Sequence, residues 1–314
     1  MKAYIFDPLW DELTTPELLK KLSDSGIETV IIKEGAPIKE CRALFEGDEE
    51  RLLCLNPDYV SWKLPSEDYK DIPNLKGIMI ASTGYEWVDQ AYANEHNIPI
   101  CQIVNFSTEA VAEWAIMIMF NLARQTPRLI KDGFPLDYDK DFMKYRGIEL
   151  HGKTAGIIGM GNIGRAIADR CNGLGMKVIF WSRSPKEGLY SSVTLERLIS
   201  EADIIFPITA KNDETIALFT DDLTSSIKPS AIVIDMAHNL INQKKLIEKV
   251  ENGSLFGYGF EGKPNEFSQH KGNIWAAPAY GWTTDSSMYN STSKWIDNIV
   301  LAAKGQFPHK INVG

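Results

Sequence analysis

Gly159-Met160-Gly161-Asn162-Ile163-Gly164 is the stretch of this chain whose residue types and spacing point most directly to chemistry. It follows a β-rich apolar run, Ala155–Ile158, and opens a helical pattern carried by Ile163, Ala166, Ile167, Cys171 and Leu174. Spaced glycines alone also serve ordinary turns. Between a strand and a helix they build a phosphate cradle: Gly159 permits the tight turn, Gly161 lets the backbone approach a pyrophosphate, and Gly164 lets helix pack on strand. The helix N-terminus then meets the anion with N–H groups and the positive end of its dipole. The pattern predicts a dinucleotide site at Gly159, Gly161, Asn162, Ile163 and Gly164.

The next strand, Lys177–Trp181, ends in Ser182-Arg183-Ser184, with Lys186 beyond and no acid at the strand end. A site for NAD(H) places an acid there to accept from the ribose 2′-hydroxyl. Arg183 instead offers a planar fork of donors suited to a phosphate, and Ser182 and Ser184 add hydroxyls. The expectation is NADP(H), with NAD(H) as the second option; a solvated basic turn is the plain alternative.

Other reactive groups are sparse. The four cysteines, Cys41, Cys54, Cys101 and Cys171, form no C-x-x-C pair and sit in or beside apolar runs, as buried thiols of a reducing compartment do. The five histidines show no ligand spacing, so no metal is expected. A net charge of −9 argues against a nucleic-acid or anionic-membrane surface. The longest apolar run, Ala110–Leu122, contains Glu113 and is too short to span a bilayer, and Asp7 interrupts the N-terminus before any signal-type apolar stretch. These features fit a cytoplasmic protein.

With those residues placed, the whole chain resembles the D-isomer-specific 2-hydroxyacid dehydrogenases, in particular their NADP-preferring glyoxylate/hydroxypyruvate reductase branch. The stretch Ser82-Thr83-Gly84-Tyr85-Glu86-Trp87 looks like the loop that receives the substrate carboxylate, and Asn105–Glu113 like the start of the long interdomain helix. The resemblance implies an NAD(P)(H)-dependent oxidoreductase moving hydride between nicotinamide and a small 2-keto or 2-hydroxy acid, or a related carbonyl. It also implies a homodimer, with cofactor contacts at Thr209, Ala210, Met236 and Glu261. Substrate contacts would fall on Ser82, Thr83 and Gly84. Family members begin and end in the substrate domain and carry the cofactor domain as an insertion.

The resemblance breaks at the proton-transfer positions. The family's Asn-x-Ala-Arg-Gly reads Asp235-Met236-Ala237-His238-Asn239, so His238 stands where the arginine would be. Its Pro-His reads Pro278-Ala279, and alanine moves no proton. Glu266 falls on the catalytic glutamate position. His270 lies out of register for the missing histidine, and a surface role is expected for it. Three readings stay open. His238, with Glu266 and Tyr280 or a water assisting, serves as relocated acid/base or as a clamp. Alternatively, the protein is a catalytically silent NADP(H)-binding sensor or scaffold of the same fold. Or hydride passes to a neutral carbonyl or an imine, since a bidentate carboxylate clamp is lost with the arginine.

The elements that must hold these residues alternate. Strands are expected at Ala3–Phe6, Thr29–Ile32, Leu52–Leu55, Gly77–Ala81 and Pro99–Val104, and a helix starts at Thr15-Pro16-Glu17 and ends at Gly26. A helix apolar on nearly all sides covers Thr108–Arg124, and Gln125–Gly152 reads as a surface excursion. A second series places strands at Ala155–Ile158, Val178–Trp181, Ile204–Ile208, Ala231–Ile234, Leu255–Tyr258 and Ile274–Ala277, before a last helix at Ser287–Lys304. Such alternation predicts parallel sheets. The fold expected is α/β: a Rossmann doubly wound cofactor domain, 104–283, inserted into a smaller flavodoxin-like α/β substrate domain, 1–103 and 284–314, with cofactor held between the two at the strands' carboxyl ends.

Overall fold

The computed structural model describes residues 1–34, 37–134, 142–184, 188–209, 215, 218–237, 240–263 and 265–311. In chain order these form β1 (Lys2–Phe6), α1 (Trp10–Leu13), α2 (Pro16–Asp24), β2 (Glu28–Ile32), β3 (Arg51–Leu55), β4 (Leu75–Ile80), α3 (Ala91–Glu95), β5 (Ile100–Cys101), α4 (Thr108–Ala123) and α5 (Thr126–Lys131). Then follow β6 (Thr154–Ile158), α6 (Asn162–Gly173), β7 (Lys177–Trp181), β8 (Ser191–Ser192), α7 (Leu195–Glu201), β9 (Ile204–Pro207), α8 (Asp221–Ser225), β10 (Ile232–Asp235), α9 (Gln243–Glu251), β11 (Gly257–Glu261), β12 (Ile274–Ala277) and α10 (Asp285–Ala303). They divide into two compact units, Met1–Ser107 with Thr284–Gly314, and Thr108–Thr283.

The discontinuous unit holds a five-stranded parallel sheet in the order β2-β1-β3-β4-β5, the flavodoxin-like arrangement. Strand β3 is buried along its whole length, as a parallel sheet covered on both faces requires. Thr15 caps α2 by accepting from the Leu18 amide, and Leu18 and Leu22 turn inward. Helix α10 is capped by Thr284 and buries Trp295, Ile296 and Ile299, with Trp295 Nε1 donating to the Met79 carbonyl at 2.9 Å. Strand β5 is shorter than its apolar run suggests. Beyond Cys101 the backbone turns to other partners: the Gln102 amide donates to the His309 carbonyl and the Ile103 amide to that of Ser82. Residues 104–107 group with this unit, which puts the junction at 107/108 against the expected 103/104.

The continuous unit holds seven parallel strands in the order β12-β11-β10-β9-β6-β7-β8. This is the Rossmann order, and its direction reverses between β6 and β9, where such sheets open a crevice at their carboxyl ends. One face packs on α4 and α6, the other on α7 and α9. Helix α4 buries Ala112, Ala115, Ile118, Met119 and Leu122 but leaves Phe120 44% exposed.

Two further expectations need correction. Residues 125–152 are not all surface loop: α5 forms there because Pro127 presets the first turn and is itself buried, while Lys131 donates to the Ile274 carbonyl at 3.3 Å. Strand β11 starts two residues later than Leu255 and runs to Glu261, because the Leu255 and Phe256 amides are engaged by Lys249 and Ala231 carbonyls. Its glycines lower strand propensity yet are needed, since a Cβ on Gly259 would stand 2.5 Å from Ile118 of α4.

Candidate active site

The glycine loop sits at the switch point. Gly159 adopts φ +108°, and a Cβ there would stand 2.9 Å from the amide nitrogen of Thr209, at the end of β9. A Cβ on Gly164 would lie 2.0 Å from the Gly159 carbonyl oxygen, so turn and helix close on each other. At Gly161 the space is open, and no side chain caps α6, whose first turn carries no acid. Glycine conformation, helix direction and open space thus fit a dinucleotide pyrophosphate. Thr209 closes the other side with a buried hydroxyl that meets no protein partner among the described residues. Ala210, expected beside it, lies outside the described residues.

Ser182 and exposed Arg183 follow β7. A cavity of about 630 Å³ opens at Ser182, walled also by Trp181, Thr194, Leu195, Arg197 and Leu218. The segment returns to the sheet as β8, which pairs parallel with β7, and Tyr190 donates to Asp169 of α6 at 2.6 Å. Burial, then the neighbouring carboxylate, pushes the Tyr190 phenol up to about 12. Sequence reasoning passed over this bond, because nothing in the spacing of Asp169 and Tyr190 announces it.

At the end of β11, Glu261 and the indole of Trp114 both close on Gly281. Met236 packs half-buried against the α4 side of the core. Glu266 opens a short 3-10 turn, Glu266–Gln269, that is pinned to β12 by an edge-on contact of Phe267 with Trp275 and by the Lys131 amine over the Phe267 ring. One oxygen of Glu266 accepts from the Lys263 amide at 2.6 Å; the other meets His270 Nε2 at 3.3 Å. The surface role expected for His270 is therefore wrong: its side chain is 14% exposed and rests edge-on against Phe260. The i,i+4 spacing was the legible signal. Tyr280 projects outward, 56% exposed. His238 lies outside the described residues.

In the other unit, Ser82 and Thr83 spend their hydroxyls on main-chain carbonyls of that unit. Ser82 donates to the Gly84 carbonyl at 2.7 Å and accepts from Trp87, and Thr83 donates to the Ile103 carbonyl at 2.9 Å. What the loop has left to offer an anion is main-chain N–H.

Residues 116–284, more than half of the chain, match the family described as D-isomer specific 2-hydroxyacid dehydrogenase, NAD binding domain. The chain belongs to this family. Among its relatives are a glycerate dehydrogenase of Methylorubrum extorquens, 27% identical over 77% of this chain and 80% of the relative, and a glyoxylate reductase of Thermococcus litoralis, 28% identical over 79% and 80%. The TT0316 protein of Thermus thermophilus superposes with a TM-score of 0.80 at 25% identity, covering 99% of this chain and all of that one. An acyclic imino acid reductase in complex with NADPH and D-arginine shares the fold at the same TM-score and 22% identity, covering 99% and 100%. As a D-2-hydroxyacid dehydrogenase family member the chain is a nicotinamide-dependent oxidoreductase, and these kinships favour hydride transfer over a silent binder. Among the described residues no helix is long and apolar enough to cross a membrane, and no group of side chains could hold a metal ion.

Proposed function

We propose that this family member is an NADP(H)-preferring reductase of small 2-keto acids, running in reverse as a 2-hydroxyacid dehydrogenase. The observation that carries the preference is the end of β7: Ser182, which lines an open cavity, is followed by exposed Arg183 and Ser184, with no acid. A carboxylate there would repel a 2′-phosphate, whereas a guanidinium binds it through two parallel bonds. The bound cofactor would supply or accept hydride at its nicotinamide ring. Gly159, Gly161, Asn162, Ile163 and Gly164 would hold its pyrophosphate, Thr209, Ala210 and Met236 would line its path, and Glu261 would face the carboxamide. The relatives named as glyoxylate and glycerate enzymes support the acid substrate class. The main-chain N–H groups of Ser82, Thr83 and Gly84 would take its carboxylate.

Reducing a carbonyl needs a proton at the developing alkoxide, and Ala279 cannot give one. We assign the task to another histidine. His238 is the first choice by position, with Tyr280 as an added O–H donor. His270 is favoured by a specific observation, its partly buried pairing with Glu266, which orients the ring and leaves Nδ1 to carry the proton. The chain is further read as a cytoplasmic homodimer. Its free cysteines and the exposed apolar side chains of Phe120, Ile130 and Phe134 support that reading.

The test is steady-state NADPH and NADH oxidation with Arg183→Asp, His238→Ala and His270→Ala. Arg183→Asp is expected to weaken NADPH by roughly 100-fold and leave NADH nearly unchanged. The histidine that acts in proton transfer should cost about 10²–10⁴ in kcat on substitution. Equal NADPH affinity in Arg183→Asp would refute the cofactor assignment, and full activity in both histidine variants would refute the proton-transfer assignment.

A further inference from the structure

Trp62 leaves 51% of its surface open to solvent, yet it is held from several sides. Its backbone adopts φ +56°, directly after Ser61 at +50°. Bulky residues avoid that left-handed conformation, and it persists only where the surroundings over-determine it. Here a chain of bonds runs to Trp62 from the sheet. Asp7, just beyond β1, accepts from Asn56 Nδ2 at 2.8 Å; Asn56 Oδ1, just beyond β3, accepts from the Asp58 amide at 3.0 Å; and Asp58 Oδ1 accepts from Trp62 Nε1 at 2.9 Å. The Trp62 amide donates to the Pro57 carbonyl at 2.9 Å. The indole also meets half-buried Trp87 edge-on, with ring centroids 6.2 Å apart. Trp87 Nε1 in turn donates to Ser82 Oγ at 3.2 Å and to the Gly84 carbonyl at 3.0 Å. The exposed ring thus stands two contacts away from the loop that the proposed function assigns to the substrate carboxylate. All of these residues follow the carboxyl ends of β1, β3 and β4, and the switch point of this strand order lies between β1 and β3, where such sheets bind ligands.

We infer that Trp62 is a preformed wall for the substrate's side chain, and that the substrate is a 2-keto acid carrying an aromatic ring at C3. The inference rests on the 2-keto acid reading above and narrows it. It departs from glyoxylate and glycerate, the acids in the relatives' names, which have no side chain to lay against an indole. A tryptophan fixed in a strained turn, with its N–H already satisfied by Asp58, offers a rigid apolar face, and a flat ring laid on it gains both burial and stacking. Asp58 and Glu86 are exposed on the same two loops, and a Cβ on Gly84 would stand 3.1 Å from Glu86 Oε2. Those carboxylates disfavour a substrate with a second acid group. Asp58 touches no substrate in this account; it is a positioning residue that holds the indole in place.

The experiment is isothermal titration calorimetry of the full chain saturated with oxidised cofactor, NADP+ or NAD+, whichever binds more tightly. An oxidised cofactor gives no hydride to a keto acid, so binding is read without turnover. The probes are phenylpyruvate, glyoxylate and the neutral ketone 4-phenylbutan-2-one, with the unsubstituted protein and with Trp62→Ala, Asp58→Ala and Asp58→Asn. Phenylpyruvate is expected to bind at least about tenfold more tightly than glyoxylate. Trp62→Ala should weaken phenylpyruvate by about 10- to 100-fold and glyoxylate by less than about threefold, the range for losing one stacked ring with its buried area. Asp58→Ala should weaken phenylpyruvate by roughly tenfold, whereas Asp58→Asn, which keeps an acceptor for the indole N–H, should bind it like the unsubstituted protein. Equal affinity for phenylpyruvate and glyoxylate, or a preference that survives Trp62→Ala, would overturn the inference and leave the 2-keto acid reading standing. If 4-phenylbutan-2-one binds as tightly as phenylpyruvate and is lost in Trp62→Ala, the wall is upheld and the carboxylate assignment fails. If neither acid binds, both fail together.

Discussion

A Cβ at Gly164 has nowhere to go, since the Gly159 carbonyl oxygen would lie 2.0 Å away. Gly164→Ala must open the β6–α6 turn, and we expect a loss of about 1–3 kcal/mol together with loss of NADPH binding. Thermal unfolding and cofactor titration of the same sample check both parts. Tyr69 offers a pH test. Burial holds its phenol, which donates to the Asp89 carbonyl at 2.5 Å, up to about 12 against an ordinary value of 10. The unfolded chain releases that proton near pH 10 and the folded one near 12. The stability Tyr69 contributes is therefore whole below pH 10 and is lost as pH climbs to about 12. Urea midpoints from pH 9 to 12 should fall more steeply in the native protein than in Tyr69→Phe. At this scale the sequence was readable wherever a residue's role depends on its neighbours in the chain, as for Gly159 and Gly164. Tyr190 with Asp169, and Trp114 with Glu261 around Gly281, depend on chain segments distant in sequence, and no spacing rule reaches them.

Helices and strands were legible in proportion to how strongly local rules fixed them. Thr15 with Pro16, and the apolar stripe of α10, mark helices that the fold keeps. Short α5 was hidden because its proline and polar neighbours also suit a loop, and only Lys131 reaching β12 reveals why it holds. The bounds of strand β11 are hard to place from sequence because a glycine-rich strand looks like a turn until helix α4 is laid across it. Capping gives a prediction at the same scale. Thr194 accepts from the Arg197 amide at the start of α7, whose Leu198 packs under β6, so Thr194→Ala should cost about 1 kcal/mol in chemical denaturation. No change would mean that packing alone holds α7.

For the molecule as a whole, alternating strands and helices prescribed two parallel sheets, and both sheets have the strand orders that such folds use. The assembly state is a prediction. Phe120, Ile130 and Phe134 leave apolar area on the cofactor unit, so light scattering should give twice the 35.3 kDa chain mass, and Phe120→Asp should shift the mass to that of one chain. A native mass of one chain would remove the dimer reading. The proposed hydride transfer must proceed although Ala279 falls where the sequence resemblance would place the proton-donating histidine. Its most direct test is NADPH oxidation by the purified protein across 2-keto acids and neutral aldehydes. We predict turnover with 2-keto acids, faster with NADPH than with NADH; no turnover with any carbonyl, in protein that still binds NADPH, would contradict it.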